Sequence, residues 1–204
     1  MKNSVVIGLT GTSGAGKTTV CEILRTHGCA IINSDSVARE VTEKGSVCLD
    51  ELKAAFCGDI INPDGTLNRR RLGEIAFSSR ERTDLLNKIT HPHIMARINS
   101  IINEYKQSGA GIIILDAPQL FEAGANALCD KIAAVIADRS LAKTRIIARD
   151  KLDSQNAENR LSRSHDDGFF LSRADYIINN NSDTITLETN VLAMLEKIKR
   201  EFNI

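Results

Sequence analysis

Val5-Val6-Ile7-Gly8-Leu9-Thr10-Gly11-Thr12-Ser13-Gly14-Ala15-Gly16-Lys17-Thr18 is the stretch from which the rest of the 204-residue chain can be read. It opens with a short, unbroken apolar run, as a strand buried on both faces requires. Residues 11–18 then satisfy G-x-x-x-x-G-K-[ST] in full. Glycines let a backbone wrap closely enough to point several N–H groups at a polyphosphate. The helix that follows turns its partially positive N-terminus toward the same phosphates. Gly11, Gly14, Ala15, Gly16, Lys17, Thr18 and Thr19 are therefore candidate nucleotide ligands. Lys17 supplies a cation for the β- and γ-phosphates, and the Thr18 hydroxyl is a Mg²⁺ ligand. A glycine-rich joint between strand and helix is the bland alternative, but the motif's place between a strand and a helix is the setting that supports phosphate binding.

Outward from this loop, Val20, Ile23 and Leu24 recur at helical spacing. Ala30-Ile31-Ile32, Gly111 to Leu115, Ile132 to Ala137 and Ala174 to Ile178 read as four further buried strands. Helical patterns occupy 141–149 and about 186–202. Alternation of this kind predicts a three-layer α/β fold around a five-stranded parallel sheet. The stretch between the second and third strands is far longer than one crossover helix needs, which predicts a helical insertion. Asn62-Pro63-Asp64-Gly65 is a turn signal inside it, and His91-Pro92 reads as a helix start with Pro in the first turn. The polar stretch 151–172 is either a lid or a solvated helical hairpin.

Composition narrows the function. The chain has 26 basic and 26 acidic residues, no Trp and only 4% aromatic residues. A nucleic-acid or membrane partner would ordinarily need a basic excess or stacking platforms, so neither partner is expected. The apolar N-terminal run is too short for a signal peptide or membrane span. Cys21, Cys29, Cys48, Cys57 and Cys129 are odd in number and contain no CxxC pair, which predicts reduced thiols and a cytoplasmic location. A guanine-reading Asn/Thr-Lys-x-Asp segment is missing, since Asn87-Lys88-Ile89-Thr90 lacks the Asp.

Ligands of parallel α/β sheets bind beyond the carboxyl ends of the strands, where Asp35 and Asp116 both fall. Asp116 after four aliphatic residues suits a Mg²⁺-holding carboxylate, or alternatively a cap for a helix over 118–122. Asp35 is either a helix cap or the base that accepts a hydroxyl proton during phosphoryl transfer. Arg39 shares its helical face, as a substrate ligand or as a plain ion-pair partner. Arg145 and Arg149, also four apart, suit a polyanion or a solvated basic stripe. His91 and His93 read as capping or packing residues, because no Cys or carboxylate cluster accompanies them.

Several segments together resemble dephospho-CoA kinases, from Val6 to about Asn180. Residues 32–40 are similar to D-A-D-x-I-A-R, residues 62–69 to N-x-D-G-x-L-D-R, and His91-Pro92 to an H-P pair. Residues 115–122 resemble D-x-P-L-L-F-E, Arg145 with Arg149-Asp150 matches R-x-x-x-R-D, and residues 174–180 match A-D-Y-V-I-D-N. The resemblance implies a P-loop core like that of nucleoside monophosphate kinases, formed by 1–44 and 108–204, with a lid at about 151–172. It implies a CoA-binding helical insertion at 45–107. The implied activity is ATP- and Mg²⁺-dependent phosphorylation of the ribose 3′-hydroxyl of dephospho-CoA. On this basis Asp35 is the catalytic base, and Lys17 with Arg145 stabilises the transferring phosphoryl group. Arg39, Arg69, His91 and Glu122 belong to the acceptor side, Arg149 and Asn180 to the nucleotide side, and Thr18 and Asp116 to the metal.

The match has departures. Asn33 and Asn68 stand where the family has Asp. The family's R-x-x-x-Q-M-P-x-x-x-K keeps only Arg160; Ser164, Asp166 and Phe170 replace Gln, Pro and Lys, with Arg163 a candidate substitute cation. Two rival readings are a P-loop kinase for another small acceptor, nucleoside or nucleotide, and a catalytically weak ATP-binding regulator.

Overall fold

The computed structural model describes residues 4–56, 58–162 and 164–204, so Cys57 and Arg163 lie outside the described residues. The strands are β1 (Val5–Gly11), β2 (Ala30–Asn33), β3 (Ile112–Asp116), β4 (Lys131–Ile136) and β5 (Tyr176–Asn179). They form the expected five-stranded parallel sheet, in the order β2-β3-β1-β4-β5. Val5 pairs with Ile112 and Leu9 with Asp116 on one side of β1, while Ile7 pairs with Lys131 and Gly11 with Val135 on the other.

The helices around it are α1 (Lys17–Thr26), α2 (Ser34–Glu40), α3 (Val47–Phe56), α4 (Arg69–Ala76), α5 (Arg80–Gln107), α6 (Arg139–Asp150), α7 (Ser154–Ser162), α8 (Asp167–Leu171) and α9 (Thr184–Phe202). Alternate residues of β4 serve opposite faces, as the strand's period of two demands. Ala133 and Val135 join Ile7 and Leu9 in a core shared with Val20 and Leu24 of α1 and Val191 and Leu195 of α9. Ala134 and Ile136 pack with Phe170 of α8 instead. Burial on both faces is why these strands read as continuous apolar runs.

The chain divides into two compact units, Met1–Ile32 with Ile102–Ile204, and Asn33–Ile101. The second unit has its own core: Cys48, Leu49, Leu52 and Phe56 of α3 pack with Leu72 and Ala76 of α4, joined by Leu86 and Ile89 of α5. The Asn62–Gly65 turn signal produces a tight loop, in which Gly65 N–H donates to Asn62 O (2.9 Å) and Ile61 bridges Leu67.

One expectation fails. His91-Pro92 does not begin a helix; Pro92 lies inside the 28-residue α5. Proline lacks the N–H that would bond the carbonyl four residues back, here Lys88, so it is normally confined to a first turn. It is exposed here, where water can satisfy that carbonyl. Among the described residues, no helix is long and apolar enough to cross a membrane.

Candidate active site

Gly11, Gly14 and Gly16 of the phosphate loop all have positive φ, and Gly11 and Gly16 leave the least room for a Cβ. Gly11 has φ +142° and a Cβ there would run into the Val135 backbone; Gly16 has φ +94° and a Cβ there would strike the Asn180 amide. Thr12 N–H donates to Val135 O (3.2 Å) and Ala15 N–H to Thr12 O (3.2 Å), which fixes the loop between β1 and α1. Lys17 opens α1, and its Nζ lies 4.0 Å from Asp116 Oδ1, the side chains being only 18% and 12% exposed. Asp116 ends β3 and does not cap a helix, because residues 118–124 form turns. Cys21, one turn along α1 from Lys17, has its thiol pushed up to about 12, first by burial and then by the Asp116 charge. It stays a protonated thiol, and the four described cysteines are all free.

Gly14, Gly16, Thr18, Thr19, Arg145, Arg149 and Asn180 all line one cavity of about 390 Å³. Seven of the residues read from sequence as nucleotide or phosphate ligands thus share one space. Arg145 is not part of a solvated stripe: it is half-buried, with Nη1 donating to Asn180 O (3.0 Å) and Nη2 to Asn180 Oδ1 (3.4 Å). Arg149 forks onto Asp150 at 2.8 and 2.9 Å, and Arg160 adds a third bond to the same carboxylate. These partners, Arg149 first, hold Asp150 below the usual carboxylate range. Sequence reading missed Ser182, Asp183 and Thr184, which close the cavity from the loop after β5. Their signal was their place beyond a strand's carboxyl end, and Asp183 is also the cap of α9, accepting from Thr186 N–H at 2.8 Å.

The departures in 151–172 have local structural roles. Ser164 Oγ accepts from Ser13 N–H of the phosphate loop (3.3 Å). Asp166 caps α8 by accepting from Phe169 N–H (2.9 Å), and Phe170 is buried under β4. Glu122 meets His165 at 2.6 Å, a partner the sequence did not suggest. The His165 ring stacks on Phe169 at 3.7 Å, and Arg173 lies over the Phe169 ring at 4.0 Å.

In the helical unit, Asp35 occupies the first turn of α2 and is exposed. It is not the cap, because Asn33 Oδ1 accepts from Ser36 N–H (2.9 Å). Asn68 caps α4 in the same way, from Arg71 N–H (3.0 Å). Both Asp-to-Asn departures therefore fall on N-caps, where the two residues serve about equally. Arg39 forms no ion pair with Asp35 among the described residues, and its carbonyl accepts from Arg69 Nη2 (3.1 Å). His91 is half-buried on α5, while His93 pairs with Glu51 at 2.9 Å. Arg69 borders a cavity of about 250 Å³ lined by Leu52, Leu67, Leu72, Phe77, Leu86 and Ile94.

A family model for dephospho-CoA kinase matches residues 5–186. A dephospho-CoA kinase of Corynebacterium jeikeium is 40% identical over 177 residues, covering 87% of this chain and 91% of that one. Among solved structures, TT1252 of Thermus thermophilus superposes with a TM-score of 0.83 at 26% identity, covering 96% and 98% of the two chains. Dephospho-CoA kinase from Campylobacter jejuni superposes with a TM-score of 0.73 at 26% identity over 98% of each chain. With a phosphate loop, an acidic β3 end and the α6 arginines all falling inside the matched span, this chain belongs to the dephospho-CoA kinase family.

Proposed function

We propose that the chain transfers the γ-phosphate of ATP to the ribose 3′-hydroxyl of dephospho-CoA, releasing coenzyme A and ADP as the last step of coenzyme A biosynthesis. The observation that carries this reading is the single cavity shared by the phosphate loop, Arg145 and Arg149. Phosphate-loop residues and two guanidinium groups line a space sized for a nucleotide, and Lys17 opens the helix that follows the loop. Phosphoryl transfer needs such positioning and charge more than covalent chemistry.

In this reading Lys17 and Arg145 neutralise the charge that builds on the transferring phosphoryl group. Arg149 and Asn180 serve the nucleotide side. Asp35 accepts the proton of the 3′-hydroxyl as its oxygen attacks in line, and an exposed carboxylate in a first helical turn is free to take that role. Arg39, Arg69 and His91 serve the acceptor within the helical insertion at 45–107, together with Glu122 from the core, and 151–172 acts as the lid.

The donor set fits Mg²⁺. Among the described residues there is no group of three or more His, Cys, Asp or Glu side chains that would form a full cage. Mg²⁺ needs none, since it keeps several waters and takes one or two protein oxygens besides substrate phosphates. The Thr18 hydroxyl and Asp116 carboxylate would hold it. When bound it would offset the charge of the phosphates.

The test is ADP release with Mg²⁺-ATP, comparing dephospho-CoA with a panel of nucleosides and a no-acceptor control. Release that requires dephospho-CoA and yields coenzyme A supports the reading. Turnover only with another acceptor, or nucleotide binding without turnover, overturns it.

A further inference from the structure

Asn180 came out of the sequence as a residue on the nucleotide side, yet its polar groups are committed to the protein itself. It is 6% exposed. Its backbone N–H donates to Ile136 O (2.9 Å), anchoring it to the end of β4. Its side-chain Nδ2 donates to the Ala15 carbonyl of the phosphate loop (2.7 Å). Its side-chain Oδ1 and backbone carbonyl both accept from Arg145, at 3.4 and 3.0 Å. One short amide thus touches the phosphate loop with its donor end and the α6 arginine with its acceptor end.

We propose that Asn180 is a positioning residue of the phosphoryl-transfer site, a strut that sets the phosphate loop and Arg145 in register with each other. The chemistry accounts for the residue type. The Ala15 carbonyl needs a donor and Arg145 needs an acceptor, and an amide offers both from two separate atoms of one short side chain. Aspartate would set a carboxylate oxygen against the Ala15 carbonyl and bring a negative charge to the phosphate cavity. Leucine has the shape but neither bond. Holding Ala15 O toward Asn180 turns the Gly16 N–H, across the same trans peptide, the opposite way. A fork held at two points keeps Arg145 from swinging to solvent before nucleotide arrives. Gly16 is part of the same joint, because a Cβ there would displace the Asn180 amide. A reacting group misplaced by about 1 Å can cost on the order of a hundredfold in rate, so the strut serves catalysis through the groups it holds.

The inference rests on the kinase reading only for its turnover measurements. The experiment measures N180A, R145A and the double variant for kcat and KM with dephospho-CoA, and for binding of ADP and GDP by calorimetry. The expected result is a fall in kcat of roughly tenfold to a hundredfold for N180A with KM for dephospho-CoA nearly unchanged. The double variant should lose clearly less than the product of the two single losses, because both act through one joint. The ratio of ADP to GDP affinity should stay at the wild-type value. Independent, multiplicative losses would overturn the proposal, as would an unchanged kcat. A collapsed ADP preference would show that Asn180 reads the base instead. If N180A fails to fold, N180L carries the same test, since it keeps the side chain's size and removes both bonds without adding charge. A wild-type protein inert toward dephospho-CoA would sink the acceptor assignment alone, and the ADP-binding cycle would still decide Asn180.

Discussion

The phosphate-loop region and the helical unit, Asn33–Ile101, place their candidate residues in contrasting ways. Around the loop, position is set by backbone and burial: three glycines at positive φ, Lys17 and Asp116 almost covered, and Asn180 bonded to both the phosphate loop and Arg145. In the helical unit, Asp35 and Arg39 stand exposed on α2, held by little more than the helix that carries them. The first region is a rigid cradle whose chemistry resides partly in the main chain. The second presents side chains from helices whose own stability comes from a separate apolar core. Substitutions should therefore fail differently in the two places: in the cradle chemistry and geometry go together, whereas in the helical unit the exposed group and the helix that presents it can be lost separately.

The largest effect is expected at Lys17. K17A should lower kcat by roughly a thousandfold while the melting temperature holds, as thermal unfolding beside steady-state kinetics would show. A small loss would mean that the cradle's backbone does most of the neutralisation, which sharpens the contrast further. Next is Asp35: D35N should cost about a hundredfold in kcat and leave calorimetric affinity for ATP and dephospho-CoA intact. Near-normal turnover would remove Asp35 as the base and leave the helical unit with binding alone. L52A, in the core of the helical unit, should destabilise by about 2–5 kcal/mol in urea unfolding. It should raise KM for dephospho-CoA more than KM for ATP; equal rises would break the division of labour. The smallest effect is at the caps. N33A should cost about 1 kcal/mol, whereas N33D should match wild type within a few tenths.

That last pair also explains how much the sequence could say. The central strands β1, β3 and β4 were legible because burial on both faces leaves continuous apolar runs, and the half-buried edge strands β2 and β5 kept shorter runs of the same kind. The loop was legible because phosphate wrapping admits so few residues. Arg145 and Arg149 stood out by their spacing and Asn180 through the family resemblance, but neither signal indicated that Arg145 and Asn180 bond to each other; that depends on a contact between residues 35 positions apart. His165 meeting Glu122 was invisible for the same reason. Asn33 and Asn68 looked like lost carboxylates because one-letter comparison does not separate a catalytic acid from a cap. Pro92 misled because the rule that keeps proline to a first turn is a preference, which the long α5 overrides at an exposed position where water reaches the Lys88 carbonyl.

The sheet order has a consequence for how the protein is made. β1 is the middle strand, yet its partners begin only at Ile112 and Lys131. A ribosome that has finished Val5–Gly11 must synthesise the entire helical unit before either neighbour exists. That unit closes through nearby contacts and can collapse while translation continues, whereas the apolar β1 segment must wait for distant partners. During synthesis the future centre of the sheet is thus the stretch most in need of a chaperone, and in refolding from denaturant helix formation should precede the burial that completes the nucleotide cradle.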